Sequence, residues 1–287
     1  MSIDALQNKI RKLKNPAALW LCPNASLIPP EIMQNCESVG SAYGSYCETL
    51  LEHLQEFYCA VRVNFDAFAL VGADGIVALN SVLKKAKKLG YYVILDWMHM
   101  EDPITAEQSA KAILAENTWP CDAVVVSPYG GSEGVKPYIA GAGKKEVFVA
   151  LKTGNKTASE LQDLQTGGRQ VYTAAAELVS RWGETSVERC GYSRVGAVAG
   201  AVNAASLRTL RQKFSRLFLL VEGLETSGAN TKNCANAFDR MGHGALVCAG
   251  SSVLGAWIEW EDGDYLAAAK DASEKLKRNL GRYITVL

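Results

Sequence analysis

The stretch from Val93 to Thr105 contains the residues of this chain that are best placed to do chemistry. A short apolar run ends at Asp96, and the acidic pair Glu101 and Asp102 follows a few positions later. An acid at the C-terminal tip of a buried strand is a common position for a catalytic group. The four residues directly after Asp96 are Trp, Met, His and Met, with no lysine or arginine among them. The stretch is therefore laid out like an active site but lacks a cation.

The same stretch could in principle form a site for a hard metal ion. Asp96, His99, Glu101 and Asp102 offer the oxygen and nitrogen ligands that such a site uses. They sit on one turn, however, and the sequence lacks a second spaced group of ligands. Chance clustering is the favoured interpretation, and we expect neither a metal nor a cofactor.

Composition restricts the classes of function. The chain has 287 residues, of which 48% are hydrophobic, and 30 basic side chains balance 30 acidic ones. This length suits one large α/β barrel, so we expect a single domain over residues 1–287. A net charge of zero gives no reason to expect nucleic acid or an anionic membrane as partner. No apolar run approaches the ~20 residues that a membrane span needs.

The N-terminus and the cysteines indicate the compartment. The first residues form a basic amphipathic segment without the apolar core of a signal peptide. Eight cysteines are scattered along the chain with no C-x-x-C pair, which favours free thiols in a reducing compartment. We therefore expect a cytoplasmic protein.

Eight short apolar runs alternate with longer amphipathic segments. The runs are rich in Val, Leu, Ala and Ile, as strands buried on both faces are. Segments 75–90, 105–117 and 157–182 have helical character, with 160–164 as a possible separate turn. This alternation predicts a parallel (β/α)₈ TIM barrel; the alternative, an open doubly wound sheet, lacks a G-x-G-x-x-G after the first strand. The predicted strands are 17–22, 58–64, 91–96, 121–127, 147–153, 194–200, 216–223 and 244–250.

In a barrel of this kind the C-terminal tips of the strands carry the active site. His53 and His243 fall outside the tips, and we expect them to be solvated or structural. The predicted tips are Asn24, Arg62 with Asn64, Asp96, Pro128 with Tyr129, Thr153 with Asn155, Gly200, the 222–228 loop and Ser251.

The residues at these tips resemble the orotidine 5'-phosphate decarboxylase family, in its longer bacterial branch. Asp96, Glu101 and Thr105 resemble the signature Asp-x-Lys-x-x-Asp-x-x-x-Thr, and VRVNFDAF (61–68) is similar to Lys-x-Asn-x-x-x-Phe. LLVEGLETSGAN (219–230) resembles the phosphate loop Pro-Gly-Val-Gly-Ala-Gln-Gly-Gly. Further similar segments follow in the same order, which favours homology and the barrel fold. They are 18–32, 127–138, 151–164, 198–212 and 244–254.

The resemblance implies conversion of orotidine 5'-phosphate to UMP and CO2 in pyrimidine biosynthesis, by a homodimer without a cofactor. The family surrounds the carbanion that forms at C6 with alternating Lys-Asp-Lys-Asp, whose last Asp comes from the partner subunit. Carried over, this array is Arg62, Asp96, Met98 and Glu101. Met98 replaces the lysine that protonates the carbanion, and a thioether can neither carry positive charge nor donate a proton. His99 should face away from Met98, because alternate residues point in opposite directions.

The substrate-binding positions implied by the resemblance have changed as well. Gly154 stands where the family has a base-contacting serine. In the phosphate loop Glu222 replaces proline, and Glu225 adds a second carboxylate. The predicted substrate-binding positions are Asn24 in place of a ribose-binding Asp, Asn64, Thr105, Thr153, Asn155, Gly223, Ser227 in place of Gln, Gly228, and Ser251 in place of the phosphate-clamping Arg.

The loss of that arginine together with two added acids argues against a nucleotide monophosphate in the family's usual pose. The alternative is that Arg240 or Lys232 supplies the clamp, although neither lies at a predicted tip. Asp96 without its lysine partners should have a raised pKa or a new partner, for which Arg62 is the candidate.

Three functions therefore stay open. We favour a relative that has lost decarboxylation and binds a different small molecule, nucleotide or related, or has a regulatory role. The second is an active orotidine 5'-phosphate decarboxylase, a carbon–carbon lyase, with an atypical site. The third is a non-catalytic dimeric scaffold.

Overall fold

A computed structural model describes residues 1–114, 118–141, 145–225, 229–261 and 263–287. Eight parallel strands close into a barrel in the order β1-β10-β9-β8-β5-β4-β3-β2, which confirms the predicted TIM barrel. A short antiparallel hairpin of β6 and β7 follows β5 in the sequence. The strands are β1 Ala17–Leu21, β2 Ala60–Asn64, β3 Tyr92–Asp96, β4 Ala123–Val126, β5 Glu146–Lys152, β6 Gln165–Thr166, β7 Arg169–Gln170, β8 Val195–Gly200, β9 Leu219–Glu222 and β10 Ala245–Ala249.

Helices cover the outside of the barrel. The predicted helix 75–90 is α5, and its last turn carries the expected lysines. The segment 157–182 divides into a single turn, α8, and a longer helix, α9, with the hairpin between them. The helices are α1 Ile3–Leu13, α2 Pro30–Asn35, α3 Val39–His53, α4 Phe65–Ala69, α5 Ala73–Lys88, α6 Pro103–Leu114, α7 Gly131–Gly141, α8 Ser159–Gln162, α9 Val171–Trp182, α10 Ala204–Lys213, α11 Thr231–Cys234, α12 Ser251–Leu254 and α13 Tyr265–Gly281.

The core consists of the strands together with the inner faces of these helices. All five residues of β3 and all five of β10 are buried, as expected for strands covered on both sides. In α5 the buried positions, such as Ala78, Leu79 and Val82, recur at helical spacing and face the barrel. The apolar runs of the sequence thus became barrel strands because both of their faces pack against apolar neighbours.

The first helix packs at the N-terminal end of the barrel, away from the strand tips. Ile3 of α1 donates its amide to Oε1 of Glu146, the first residue of β5, at 3.0 Å. The hydroxyl of Tyr92 donates to the other oxygen at 2.8 Å. Glu146 has no exposed surface, and this burial raises its pKa to about 7, although Tyr92, Ile3 and Arg194 oppose the rise.

Within the described ranges, no helix combines the length and the apolar character that a membrane crossing requires. All eight cysteines are free thiols.

Candidate functional site

A fully buried arginine, Arg62 of β2, joins two carboxylates inside the barrel. Its Nη2 atom lies 2.9 Å from Oδ1 of Asp96 on β3, and its Nη1 atom lies 2.8 Å from Oε2 of Glu222 on β9. The guanidinium carbon stands 4.4 Å from the centre of the Trp20 ring on β1. Because β2 and β9 are not neighbours in the barrel, the contact between Arg62 and Glu222 crosses its interior.

The charges of this cluster do not balance. One guanidinium faces two carboxylates, which leaves one net negative charge when all three groups are ionised. Burial raises the pKa of Asp96 and outweighs the opposing effect of Arg62, while Glu222 adds to the rise. Burial alone would lower the pKa of Arg62, but the two carboxylates raise it well above its usual value. The sequence predicted either a raised pKa for Asp96 or a new partner such as Arg62, and the structure has both.

The positions that follow β3 do not bring a second cation to Asp96. Met98 is 36% exposed. The Nε2 atom of His99 lies 3.0 Å from Oδ1 of Asp66, and its ring packs edge-on against Trp97 with the centroids 4.5 Å apart. Within the described ranges, Arg62 is the residue that forms an ion pair with Asp96.

Glu101 is held by its own chain. Its Oε1 atom accepts hydrogen bonds from the Ser109 hydroxyl at 2.5 Å and from the Trp97 indole at 3.3 Å, and its Oε2 atom accepts one from the Tyr138 hydroxyl. Ser109 belongs to α6 and Tyr138 to α7. The carboxylate thus ties the loop after β3 to two helices of the same barrel.

Thr105 takes part in hydrogen bonds at the start of α6. Its hydroxyl donates to Oδ2 of Asp102 at 2.5 Å, and its amide donates to Oδ1 at 3.1 Å. The hydrogen bonds from Thr105 lower the pKa of Asp102. Asp102 and Thr105 thus form an N-terminal cap, a structural role at these positions.

The carboxylate of Glu225 binds the backbone that follows the last barrel strand, β10. It accepts hydrogen bonds from the amides of Gly250, Ser251 and Ser252 at 2.8, 2.9 and 2.9 Å. It also accepts the hydroxyl of Ser251 at 2.7 Å and that of Ser252. Five donors therefore converge on one side chain. We call the amides and hydroxyls of residues 250–252 the β10 cradle.

Three glycines bring the neighbouring strand ends into close contact. A Cβ atom on Gly154 would lie 2.9 Å from Cα of Gly223, and one on Gly200 would lie 2.8 Å from Cα of Gly154. The Gly154 amide also donates to Oε1 of Glu222 at 3.2 Å. A serine at position 154, as in the resembled family, would not fit without a backbone shift.

The remaining predicted positions are engaged locally or exposed. Asn155 is exposed, and Gly223 adopts a φ of 70°, a conformation that favours glycine. Ser227 and Gly228 lie outside the described residues. Asn24 accepts hydrogen bonds from the amide and the hydroxyl of Ser26. Asn64 donates to Asp96 at 3.3 Å and caps α4. The amide of Thr153 donates to Gln162, and its hydroxyl accepts from the Gln162 side chain.

Sequence reasoning missed Lys152, a second buried cation near the strand ends. It is 6% exposed, and its Nζ atom lies 2.9 Å from Oδ2 of Asp163 and 6.0 Å from the centre of the Tyr172 ring. The available signal was a lysine closing an otherwise apolar run. The pairing of Lys152 with Asp163 could not be read from the sequence, because it depends on how the segment after β5 folds back.

The fold is a TIM barrel, and the polar groups at the strand ends form a candidate site at its C-terminal face. The family model "Orotidine 5'-phosphate decarboxylase / HUMPS family" matches residues 45–257. The chain therefore belongs to the orotidine 5'-phosphate decarboxylase / HUMPS family.

Individual relatives support this membership over nearly the whole chain. The orotidine 5'-phosphate decarboxylase of Clostridium novyi is 27% identical over 285 residues, which are 98% of each chain. That of Rhodopirellula baltica is 31% identical over 218 residues, which are 74% of this chain and 72% of the relative. Among solved structures, the OMP decarboxylase of Leishmania donovani superposes with a TM-score of 0.76 at 27% identity, covering 98% of this chain and 99% of the other.

Proposed function

We propose that this barrel has lost the decarboxylation for which its relatives are named, and that it binds a different small molecule or has a regulatory role. The observation that carries the proposal is the pairing within the charged cluster of Arg62, Asp96 and Glu222. Its arginine is shared between Asp96 and Glu222, while position 98 holds a methionine.

The chemistry of decarboxylation supports this proposal. Loss of CO2 leaves a carbanion, which needs a nearby cation and then a proton. Arg62 is a poor acid at neutral pH, because its pKa is raised further above an already high value. Removing a preorganised donor costs about 10²–10³ in rate, and removing a general acid costs about 10²–10⁴. The two losses together should lower the rate by about 10⁴-fold or more.

Sequence similarity favours a second candidate, an active orotidine 5'-phosphate decarboxylase with an atypical site. The decarboxylase of Clostridium novyi aligns with this chain over 98% of both lengths. For this candidate to hold, Arg62 would have to serve the reaction while bound to Glu222, and the proton would have to come from a group other than residue 98.

We further propose a homodimer, as the family resemblance implies, and a cytoplasmic location, which the eight free thiols support. Three large apolar side chains near the ends of β3 and β4 support a self-association surface: Met100, Ile104 and Tyr129 are 66%, 75% and 72% exposed. A Cβ atom on Gly130, next to Tyr129, would lie 4.0 Å from Cγ of Met100, so the two loops adjoin. Ile104→Glu should convert the dimer to a monomer in light scattering, and a monomeric parent protein would contradict the proposal.

Complementation tests the proposed loss of activity. The chain is expressed in a bacterial strain that lacks its own orotidine 5'-phosphate decarboxylase and requires uracil. We expect no growth without uracil, whereas the Clostridium novyi relative expressed to the same soluble level restores growth. Growth supported by this chain would establish the second candidate instead.

A further inference from the structure

We propose that Glu225 is a specificity-determining residue of the barrel mouth: its carboxylate occupies donors that would otherwise hold a phosphate group, so the ligand of this mouth is unphosphorylated and is uncharged or cationic. This inference rests on the proposed function in one respect, namely that the mouth still receives a small molecule.

The position of Glu225 carries the first part of the argument. TIM barrels frequently bind phosphate with the loops that follow their seventh and eighth strands and with the start of a short extra helix. Here these strands are β9 and β10, and the short helix is α12. Glu225 lies in the loop after β9, and the β10 cradle leads into α12. The carboxylate thus stands where this fold commonly places a phosphate.

The hydrogen bonds of the β10 cradle are already used. Three amides and two hydroxyls donate to the two oxygens of Glu225. Hydrogen bonds to an ionised acceptor are stronger than those between neutral groups. A phosphate entering the mouth would have to displace this carboxylate from all five, and then lie beside it as a like charge.

The neighbouring charges do not compensate for this repulsion. Arg62 is buried and already shared between Asp96 and Glu222. Lys152 is paired with Asp163, and Lys275, which lines the same cavity as Glu225, is paired with Asp271. The charged cluster and Glu225 together carry negative charge towards the mouth, which disfavours an anion and is compatible with an uncharged or cationic ligand.

Inorganic phosphate is a suitable probe, because it tests the binding of a phosphate group apart from the rest of any ligand. Thermal unfolding is followed against phosphate concentration at constant ionic strength, set with potassium chloride. The proteins are the wild type, Glu225→Ala, and the control Glu259→Ala. Glu259 is an exposed acid that lines the same 750 Å³ cavity as Glu225, so its removal changes the local charge without emptying the β10 cradle. Glu225→Ser, whose side chain is too short to fill the β10 cradle, serves as a second variant if the alanine variant does not fold.

We expect phosphate to raise the unfolding temperature of the Glu225 variant saturably, by about 2–4 °C at ten times its dissociation constant. The wild type and Glu259→Ala should show no saturable shift. An equal response in all three proteins, or no response in either Glu225 variant, would overturn the proposal.

A titration of orotidine 5'-phosphate into the wild type separates this inference from the proposed function. We expect no binding at micromolar concentrations. Tight binding without CO2 release would overturn the role of Glu225 and leave the loss of decarboxylation standing. Growth in the complementation test would overturn both proposals, because an active decarboxylase must bind a phosphorylated substrate.

Discussion

The Nη1 atom of Arg62 lies 2.8 Å from Oε2 of Glu222, in a buried ion pair that crosses the barrel interior. Where this chain has Arg62 and Glu222, the signatures of the family that it resembles have lysine and proline. A planar guanidinium can engage two carboxylates at once, whereas an ammonium group acts as a point charge. The pair therefore gives Arg62 a structural role, because it links β3 to β9. Its charge is then not free to act on a ligand at the mouth.

Removing the cation of this cluster should be costly. Arg62→Met leaves Asp96 and Glu222 buried without a partner, so we expect the free energy of unfolding in urea to fall by about 3–5 kcal/mol at pH 7. The matched control is Lys111→Met. Lys111 and its partner Glu107 are 64% and 61% exposed, and this loss should stay below about 1 kcal/mol. Equal losses in the two variants would show that the buried ion pairs contribute no more to the free energy of unfolding than an exposed pair does.

A fully apolar cluster should recover much of that loss. Nε of Arg62 and Nε1 of Trp20 are buried donors without a hydrogen-bond partner in the described part of the chain. The charged cluster is therefore incompletely satisfied, and such clusters are often replaced by apolar residues without loss. The triple variant Arg62→Met/Asp96→Leu/Glu222→Leu should be more stable than Arg62→Met in the same urea experiment. A further loss would contradict this.

A lysine introduced at position 98 should bring back part of the decarboxylase activity. Met98 is partly exposed, so the side chain of Met98→Lys is accommodated with a stability change within about 0.5 kcal/mol. With enzyme in excess over orotidine 5'-phosphate, we expect CO2 release at least about 10²-fold faster than in the wild type, because a general acid has been returned. Met98→Gln, which is polar but not acidic, should give no gain. A gain of equal size in Met98→Gln would contradict proton donation as the missing function.

Glu146 makes stability depend on pH. Its folded pKa of about 7 exceeds the ordinary glutamate value of 4.5, so the folded state binds the proton more tightly than the unfolded state. Its contribution to stability is full below about pH 4.5 and is lost as the pH rises through 7. Glu146→Gln should therefore be more stable than the wild type at pH 8, by about 1–3 kcal/mol in urea unfolding, and not at pH 4. Glu107→Gln, an exposed control, should not show this difference.

The hydrogen bond to Glu101 should stabilise the loop after β3. Tyr138→Phe removes the hydroxyl that donates to the Glu101 carboxylate, and we expect a loss of about 1.5–3 kcal/mol in the free energy of unfolding. Tyr129→Phe is the control, because Tyr129 is 72% exposed and should change stability little. An unchanged stability of Tyr138→Phe would mean that Glu101 is not held by its own chain in solution.

The barrel could be predicted because its strands are buried on both faces and leave continuous apolar runs. Each of the eight predicted strands overlaps a strand of the structure, with ends that differ by up to three residues, as at 216–223 against Leu219–Glu222. The hairpin between α8 and α9 was not predicted. Its strands have two residues each, all of them polar, so they leave no apolar pattern.

The candidate site was predicted only in part. Asp96 and its contact with Arg62 follow from neighbouring strand ends, which the barrel order fixes. The contact of Arg62 with Glu222 and that of Glu225 with the β10 cradle join residues far apart in the sequence. They depend on side-chain direction across a closed barrel, and the strand pattern alone does not contain that information. The same holds for Lys152 and Asp163.

The most direct test of the central claim is single-turnover release of CO2 from carboxyl-labelled orotidine 5'-phosphate by the purified wild-type protein, in excess over substrate at pH 7. The decarboxylase of Clostridium novyi serves as the reference under identical conditions. We predict a rate constant at least about 10⁴-fold below that of the reference, since a preorganised cation and a general acid are both absent. A rate within tenfold of the reference would contradict the loss of decarboxylation.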